Sequence, residues 1–296
     1  MKSCGLFIGL STLDLIYLTK NPPERNQKIV ALDQTIAAGG PATNAAVTFS
    51  YLGNCANLLS AIGTHPMSQI IRSDLENYAI KSLDLAPNRF ELPSVSSIIV
   101  TQATGERAII SVNATKFQAT PEQIPLDILQ EIAIVLIDGH QMQVSYAIAQ
   151  QSKAKKIPIV IDGGSWKEGF ESILPYVDYA ICSDNFYPPN CQNRQEVFTY
   201  LQESGIPHIA ITQGDKPIQY LSRGEKGKIE IPVVKAVDTL GAGDIFHGAF
   251  CHYILQNNFV KALTLAAKIA SFSCQYFGTR QWMKNLSIFL ICAFLR

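Results

Sequence analysis

From residue 133 to residue 212 short apolar runs alternate with helical stretches: strand IAIVLIDG, helix 142–154, strand IPIVIDGG, a short helix near 168–174, strand DYAIC, helix 194–204 and strand HIAIT. Strands joined through helices cross over with one hand and lie parallel, so this rhythm predicts an α/β fold whose sheet is covered by helices on both faces. The run GLFIGL at residues 5–10 adds a strand of the same buried kind. Ligands of such open sheets bind beyond the carboxyl ends of the strands. Asp14, Asp138 and Asp162 each follow an apolar strand and stand at that edge. Spacing alone leaves two readings for them: carboxylates that face a ligand, or an Asx turn and helix caps.

A second rhythm has period two. Residues 95–101 (VSSIIVT) and 107–113 (RAIISVN) alternate and are joined through a Gly-containing turn, which predicts a hairpin. Together with strands near 13–19 and 28–36 it can form a small separate sheet, carried on segments at about 13–36 and 95–113. Arg107 stands near the hairpin turn, where it either reaches an anionic group or is solvated. At 296 residues and 47% hydrophobic side chains the chain can bury one large core, and a single domain over 1–296 is expected.

Lys plus Arg and Asp plus Glu number 24 each, so no net field favours nucleic acid or an anionic membrane as partner. Any anion binding has to be local. The seven cysteines are scattered without a CxxC pair, a pattern of free thiols in a reducing cytoplasm. Asp14 interrupts the N-terminal apolar run, which reads as a first strand and not as a signal peptide. The apolar run Leu286 to Leu295 is about half the length that crosses a bilayer and is expected to pack on the core as a strand or helix. GxxxxGK[ST], GxGxxG after a strand and HExxH are absent, which argues against P-loop, dinucleotide and zinc-protease chemistry.

The stretch that carries chemistry is 238–250, DTLGAGDIFHGAF. Gly241, Ala242 and Gly243 leave the backbone open to a ligand, and Ile245, Ala249 and Tyr253 at four-residue spacing predict a helix starting there. A helix start offers unpaired N–H groups and the positive end of the dipole, a natural seat for a phosphate. Asp244 falls in that first turn. An anion hole beside a carboxylate suits phosphoryl transfer, which needs charge neutralisation, in-line positioning and an acceptor for a hydroxyl proton. The dipole is expected to keep Asp244 ionised at neutral pH, as a weak base that mainly orients the nucleophile. The plainer reading is a tight turn followed by a helix whose first turn is acidic.

DTLGAGDIFHGAF closely resembles the C-terminal signature of the ribokinase-like (PfkB) family of carbohydrate kinases. The string GGPATNAA at 39–46 resembles that family's N-terminal GG-x-x-x-N-x-A element. The resemblance runs over nearly the whole chain to about Trp282 and implies a ribokinase-like α/β fold, a mostly parallel doubly wound sheet with a small β-sheet lid over the sugar site. It implies an ATP-dependent kinase acting on a hydroxyl of a sugar or sugar-like molecule, with Mg²⁺ and room for a monovalent cation. In that reading Asp244 is the base and Gly241, Ala242 and Gly243 form the anion hole. Asp14, Gly39, Gly40 and Asn44 face the substrate, with Arg107 and Asp138 as further candidates, and Thr212, Gly214, Asp238 and Thr239 face the nucleotide. Two short strands are expected at 217–222 and 228–232, with the adenine between this segment and a final helix over 260–276. The lid often serves as a dimer contact in the family, so a homodimer through it is an expectation.

One departure stands out. Many members carry Asn-x-x-Glu after the strand matching DYAIC, where this chain has Cys182-Ser183-Asp184-Asn185-Phe186. The direct Mg²⁺ ligands are therefore unassigned, with Asp184 or Asn185 as candidate substitutes acting through water. A nucleoside kinase of the same fold, and a sugar or nucleotide sensor without turnover, stay open as alternatives. His247 and His252, five residues apart, are read as structural, Trp282 as packing, and Gly248 as a close contact with the final helix.

Overall fold

The computed structural model describes residues 2–112 and 117–286. In chain order the strands of the large sheet are β1 (Cys4–Gly9), β4 (Cys55–Ser60), β5 (Ile80–Asp84), β8 (Ile132–Ile137), β9 (Ile159–Gly163), β10 (Tyr179–Ser183), β11 (His208–Gln213), β12 (Lys216–Ser222) and β13 (Glu225–Ile229). The small sheet takes β2 (Thr12–Thr19), β3 (Asp33–Gly39), β6 (Val95–Thr101) and β7 (Arg107–Ser111). The helices are α1 (Pro41–Tyr51), α2 (Ser68–Asn77), α3 (Met142–Ala154), α4 (Phe170–Ile173), α5 (Arg194–Glu203), α6 (Ala242–Ile254) and α7 (Phe259–Ser273).

The large sheet runs β13-β12-β11-β10-β9-β8-β1-β4-β5, parallel except for the two pairings that involve β12. The chain builds β4 and β5 on one side of β1, then β8 to β11 on the other, so the strand order reverses at β1/β8. That reversal opens a crevice at the carboxyl ends of β1 and β8. Strand alternation divides the core: Phe7, Leu136 and Ile181 pack with α1, α6 and α7, while Leu6, Ile8 and Ile161 pack with α3 and α5. The small sheet runs β3-β2-β6-β7 and buries Ile16, Ile98 and Val100 against Phe277.

Several boundaries differ from the sequence expectation. Residues 28–32 lie outside β3, which continues to Gly39 because its register with β2 runs from Leu18↔Asp33 to Thr12↔Gly39. β13 starts at Glu225, since the turn at Arg223 and Gly224 brings Ser222 opposite Glu225. The expected strand end at Asn113 and the apolar run beyond Leu286 lie outside the described residues. Among the described residues no helix is long and apolar enough to cross a membrane.

Gly248 corrects another expectation, because its close neighbour is α1 and not α7. A Cβ there would sit 2.3 Å from the Ala45 carbonyl oxygen and 2.7 Å from Thr48 Cβ. Only a glycine lets α6 approach α1 so closely, and α1 carries Asn44 to α6. Gly248→Ala should therefore destabilise the protein by about 1–3 kcal/mol despite the better helix propensity of alanine. Chemical denaturation measures this, and a gain in stability would contradict the packing account.

Candidate active site

The Gly39-Gly40 turn delivers α1 to the crevice. A Cβ on Gly39 would overlap the Asp14 carboxylate, 1.8 Å from Oδ2. Gly40 has φ 98° and would meet the Leu10 carbonyl at 2.3 Å with a side chain, so both positions need glycine. Pro41 then occupies the first helical position, where its missing N–H costs nothing.

Asp138, at the end of β8, clamps this corner together. Its Oδ2 accepts from Leu10 N at 2.9 Å and Ala42 N at 3.1 Å, and its Oδ1 from His140 N at 2.9 Å. Burial alone would raise its pKa, but the His140 ring, Lys167 and the Leu10 N–H outweigh it and pull the pKa down to about 2. The residue is 1% exposed. It tethers the start of α1 to the exits of β1 and β8 and presents no free oxygen to the crevice.

α6 begins at Gly241, whose backbone is left-handed, and no side chain caps the helix. The N–H groups of its first turn therefore have no side-chain partner, and Ala242 N donates to the Thr239 carbonyl at 3.3 Å. A Cβ on Gly243 would meet nothing within 4 Å, so there is room for a ligand against that backbone. Asp244 follows in the first turn, and its Oδ2 accepts a hydrogen bond from Asn44 Nδ2 at 2.8 Å. The two sequence signatures, 200 residues apart, thus meet side chain to side chain.

The ionisation of Asp244 departs from expectation. Burial and the neighbouring Asp162 carboxylate push its pKa up to about 7, against the pull of the Asn44 hydrogen bond, His247 and Arg107. The helix dipole does not outweigh desolvation and like-charge repulsion here. Asp162 is itself bracketed by His247, whose Nδ1 lies 3.4 Å from Asp162 Oδ2 and 2.7 Å from the Gly243 carbonyl. His247 Nε2 reaches the Ile181 carbonyl at 3.1 Å, tying α6 to β10. Its role is structural, but it supports the floor of the site.

Asp14 projects from β2 into the same region, 6% exposed, with Thr12 Oγ1 donating to its Oδ1 at 2.6 Å. Burial raises its pKa, opposed by hydrogen bonds from Thr12 and Ser96 and by the charge of Arg280. Sequence reasoning missed Arg280, which donates from Nη1 to Asn44 Oδ1 at 2.8 Å. The signal lay beside a residue that was read, since Arg280 stands between Thr279 and the buried Trp282 in GTRQWM.

The loop before α6 is joined to the small sheet. Thr239 donates to the Gly105 carbonyl from its backbone N at 3.2 Å and its Oγ1 at 3.1 Å. Arg107, at the start of β7, donates in turn to Thr239 Oγ1 at 3.0 Å and to its carbonyl at 3.3 Å. Asp238 is buried and accepts from the Leu240 and Gly278 N–H groups, each at 2.8 Å. Thr212 and Gly214 lie at the end of β11: Thr212 Oγ1 donates to the Cys182 carbonyl at 3.3 Å, and Gly214 is exposed with open space around it. Asp184, which follows β10, is held by Arg194 through both oxygens, with Nη2 to Oδ2 at 2.9 Å.

The sequence matches the pfkB family of carbohydrate kinases over residues 6–285. It is similar to the deoxyribokinase of Salmonella typhi, 26% identical over 95% of this chain and 96% of that protein. It is likewise similar to the ribokinase of Lactococcus lactis, 24% identical over 95% of this chain and 93% of that one. Among solved structures, a putative ribokinase from Agrobacterium tumefaciens superposes with a TM-score of 0.84 at 22% identity, covering 100% of both chains. Arabidopsis thaliana ribokinase, solved with ribose and ATP, gives 0.72 at 18% identity, covering 97% of this chain and 99% of that one. With the ribokinase-like fold shared and both signature strings joined across one crevice, the chain belongs to the pfkB family of carbohydrate kinases, phosphotransferases that act on a hydroxyl group.

Proposed function

We propose that this protein transfers the γ-phosphoryl group of ATP to a hydroxyl of a small sugar, with Asp244 as base. The observation that carries this reading is the Asn44–Asp244 hydrogen bond beside an uncapped helix start. A sugar hydroxyl placed there donates to the Asp244 carboxylate while its oxygen attacks the γ-phosphorus. The new O–P bond forms as the bond to the β-phosphate bridging oxygen breaks, the proton passes to Asp244, and ADP leaves. The N–H groups around Gly241, Ala242 and Gly243 neutralise charge on the transferring oxygens. Asp14, Gly39, Gly40 and Asn44 orient the sugar. Thr212, Gly214, Asp238 and Thr239 flank the nucleotide, with the adenine towards α7.

Among the described residues no cluster of three or more His, Cys, Asp or Glu could hold a metal by itself. Mg²⁺ fits as an ion carried by the nucleotide phosphates, balanced by the Asp162 and Asp244 carboxylates, where it would shield the charge on the phosphates. The Asp184–Arg194 pair leaves Asp184 a poor substitute for the missing Asn-x-x-Glu. A monovalent cation near Asp238 would neutralise its buried carboxylate.

The small sheet acts as the lid, keeping water from competing with the sugar hydroxyl. Ile36, Ile109 and Ile110 are exposed on that sheet and suit a dimer contact between two copies. The single-domain reading and a cytoplasmic setting accompany this function. A coupled assay with MgATP across pentoses, deoxypentoses, hexoses and nucleosides tests it. We expect turnover with a pentose or deoxypentose; turnover with nucleosides alone, or ligand-induced thermal shifts without any phosphorylation, would replace it with nucleoside kinase or sensor.

A further inference from the structure

The Asn44 side chain must point the right way to hand a donor to Asp244, and a single amide can flip. Arg280, in the segment after α7, touches it from the other side. Arg280 Nη1 donates to Asn44 Oδ1 at 2.8 Å and to Thr279 Oγ1 at 3.0 Å. Its Nη2 donates to the Ala38 carbonyl at 2.6 Å and lies 3.4 Å from Asp74 Oδ2, and the guanidinium sits 5.3 Å from the centre of the Tyr78 ring. Asp74 Oδ2 also accepts from Ala38 N at 2.9 Å, so both polar groups of the Ala38 peptide, one residue before the glycine turn, are held by this pair.

We propose that Arg280 is a positioning residue that fixes the orientation of the Asn44 amide, and through it which atoms of the Asn44–Asp244 pair remain for the substrate. This rests on the reading of Asp244 as base. An arginine only donates and an ionised carboxylate only accepts, so between Arg280 and Asp244 in its base form the amide has one allowed orientation. A flipped Asn44 would set its oxygen against the Asp244 carboxylate and its NH₂ against the guanidinium, losing two hydrogen bonds and adding two like contacts. In the allowed orientation one Nδ2 hydrogen goes to Asp244 and the second remains for a ligand. A hydroxyl in the site therefore accepts from Asn44 and donates to Asp244, the polarity a nucleophile needs. Arg280 itself is not the ligand contact. Its Nη hydrogens face Asn44, Thr279, Ala38 and Asp74, and its Nε is buried without a partner among the described residues.

The test is a double-mutant cycle of Arg280→Met and Asn44→Ala, with Arg280→Lys as the conservative variant. If Arg280 acts through Asn44, Arg280→Met should lower kcat by about 10- to 100-fold with little change in the KM for ATP. The double variant should then be no worse than Asn44→Ala within about twofold, and Arg280→Lys should recover part of the loss. Multiplying effects would overturn the proposal, leaving Arg280 a mere brace for Ala38 and Thr279. A readout free of turnover is the Asn44 side-chain amide in ¹⁵N spectra, assigned by its loss in Asn44→Ala. At pH 8 its protons should show NOEs to the Gly241 α-protons in wild type and Arg280→Lys, because a Cβ on Gly241 would lie 3.6 Å from Asn44 Nδ2, and these NOEs should weaken in Arg280→Met as the amide samples the flipped orientation. Undiminished NOEs in Arg280→Met sink the proposal. If Arg280→Met does not fold, Arg280→Lys decides by the same spectra: retained NOEs support the proposal and lost ones overturn it. Wild type that phosphorylates nothing refutes the kinase reading, whereas these spectra judge Arg280 separately.

Discussion

Asp244→Asn should lower kcat for sugar phosphorylation by roughly 10³-fold or more, while the affinity for nucleotide stays within about threefold. The amide keeps the size and the contact with Asn44 but cannot accept the hydroxyl proton. Near-normal turnover would remove Asp244 from the mechanism. The raised pKa supplies two further signatures. With Asp244 titrating at about 7, kcat/KM of the wild type should rise tenfold per pH unit below that value and level off above it. Stability carries the opposite sign. A carboxylate whose folded pKa lies above the ordinary 3.8 holds its proton more tightly in the native state, so stability falls as pH rises between 3.8 and about 7. The destabilisation is complete above that window. Asp244→Asn should thus be inactive yet more thermostable than wild type at pH 8, a difference that fades below pH 4. A variant no more stable at pH 8 would mean that the carboxylate is better solvated than its neighbours suggest.

Asp138→Ala should cause the largest loss of stability, about 3–5 kcal/mol, with the midpoint of thermal unfolding lower by roughly 10 °C. The substitution strands the N–H groups of Leu10, Ala42 and His140 in a largely buried corner. Here the linkage runs the ordinary way for a carboxylate. Its folded pKa of about 2 lies below 3.8, so the stabilisation is fully present above 3.8 and is lost as pH falls through about 2. The gap between wild type and variant, measured by calorimetry, should therefore narrow towards pH 2. A gap that is small at pH 7 would show that the three N–H groups find other partners.

The alternation from residue 133 and the string DTLGAGDIFHGAF were legible because each is local: an apolar run, a small-residue turn and a helix start are written in consecutive residues. The same holds for GGPATNAA. Residues 53–94 went unread, although β4, α2 and β5 lie there. β4 is only CANLLS, and α2 keeps Ser68, Ile71 and Leu75 as its buried face among polar neighbours, so neither stands out without the sheet it packs on. Arg280 was invisible for a different reason. Its partners Ala38, Asn44 and Asp74 come from three elements far away in sequence, and no spacing rule links them. The raised pKa of Asp244 is not legible in the sequence, because a dipole is local to its helix, whereas Asp162 and the surrounding burial come from other elements.

The Thr239 to Gly105 tether has a consequence for timing. The hairpin tip and the strip of backbone that feeds α6 share hydrogen bonds, so one cannot swing outward without tugging the other. On the proposed reading of the small sheet as a lid, a protein with its cover raised is also one whose phosphate cradle has slackened. Idle splitting of nucleotide by water would then be discouraged whenever no sugar is present to draw the cover down.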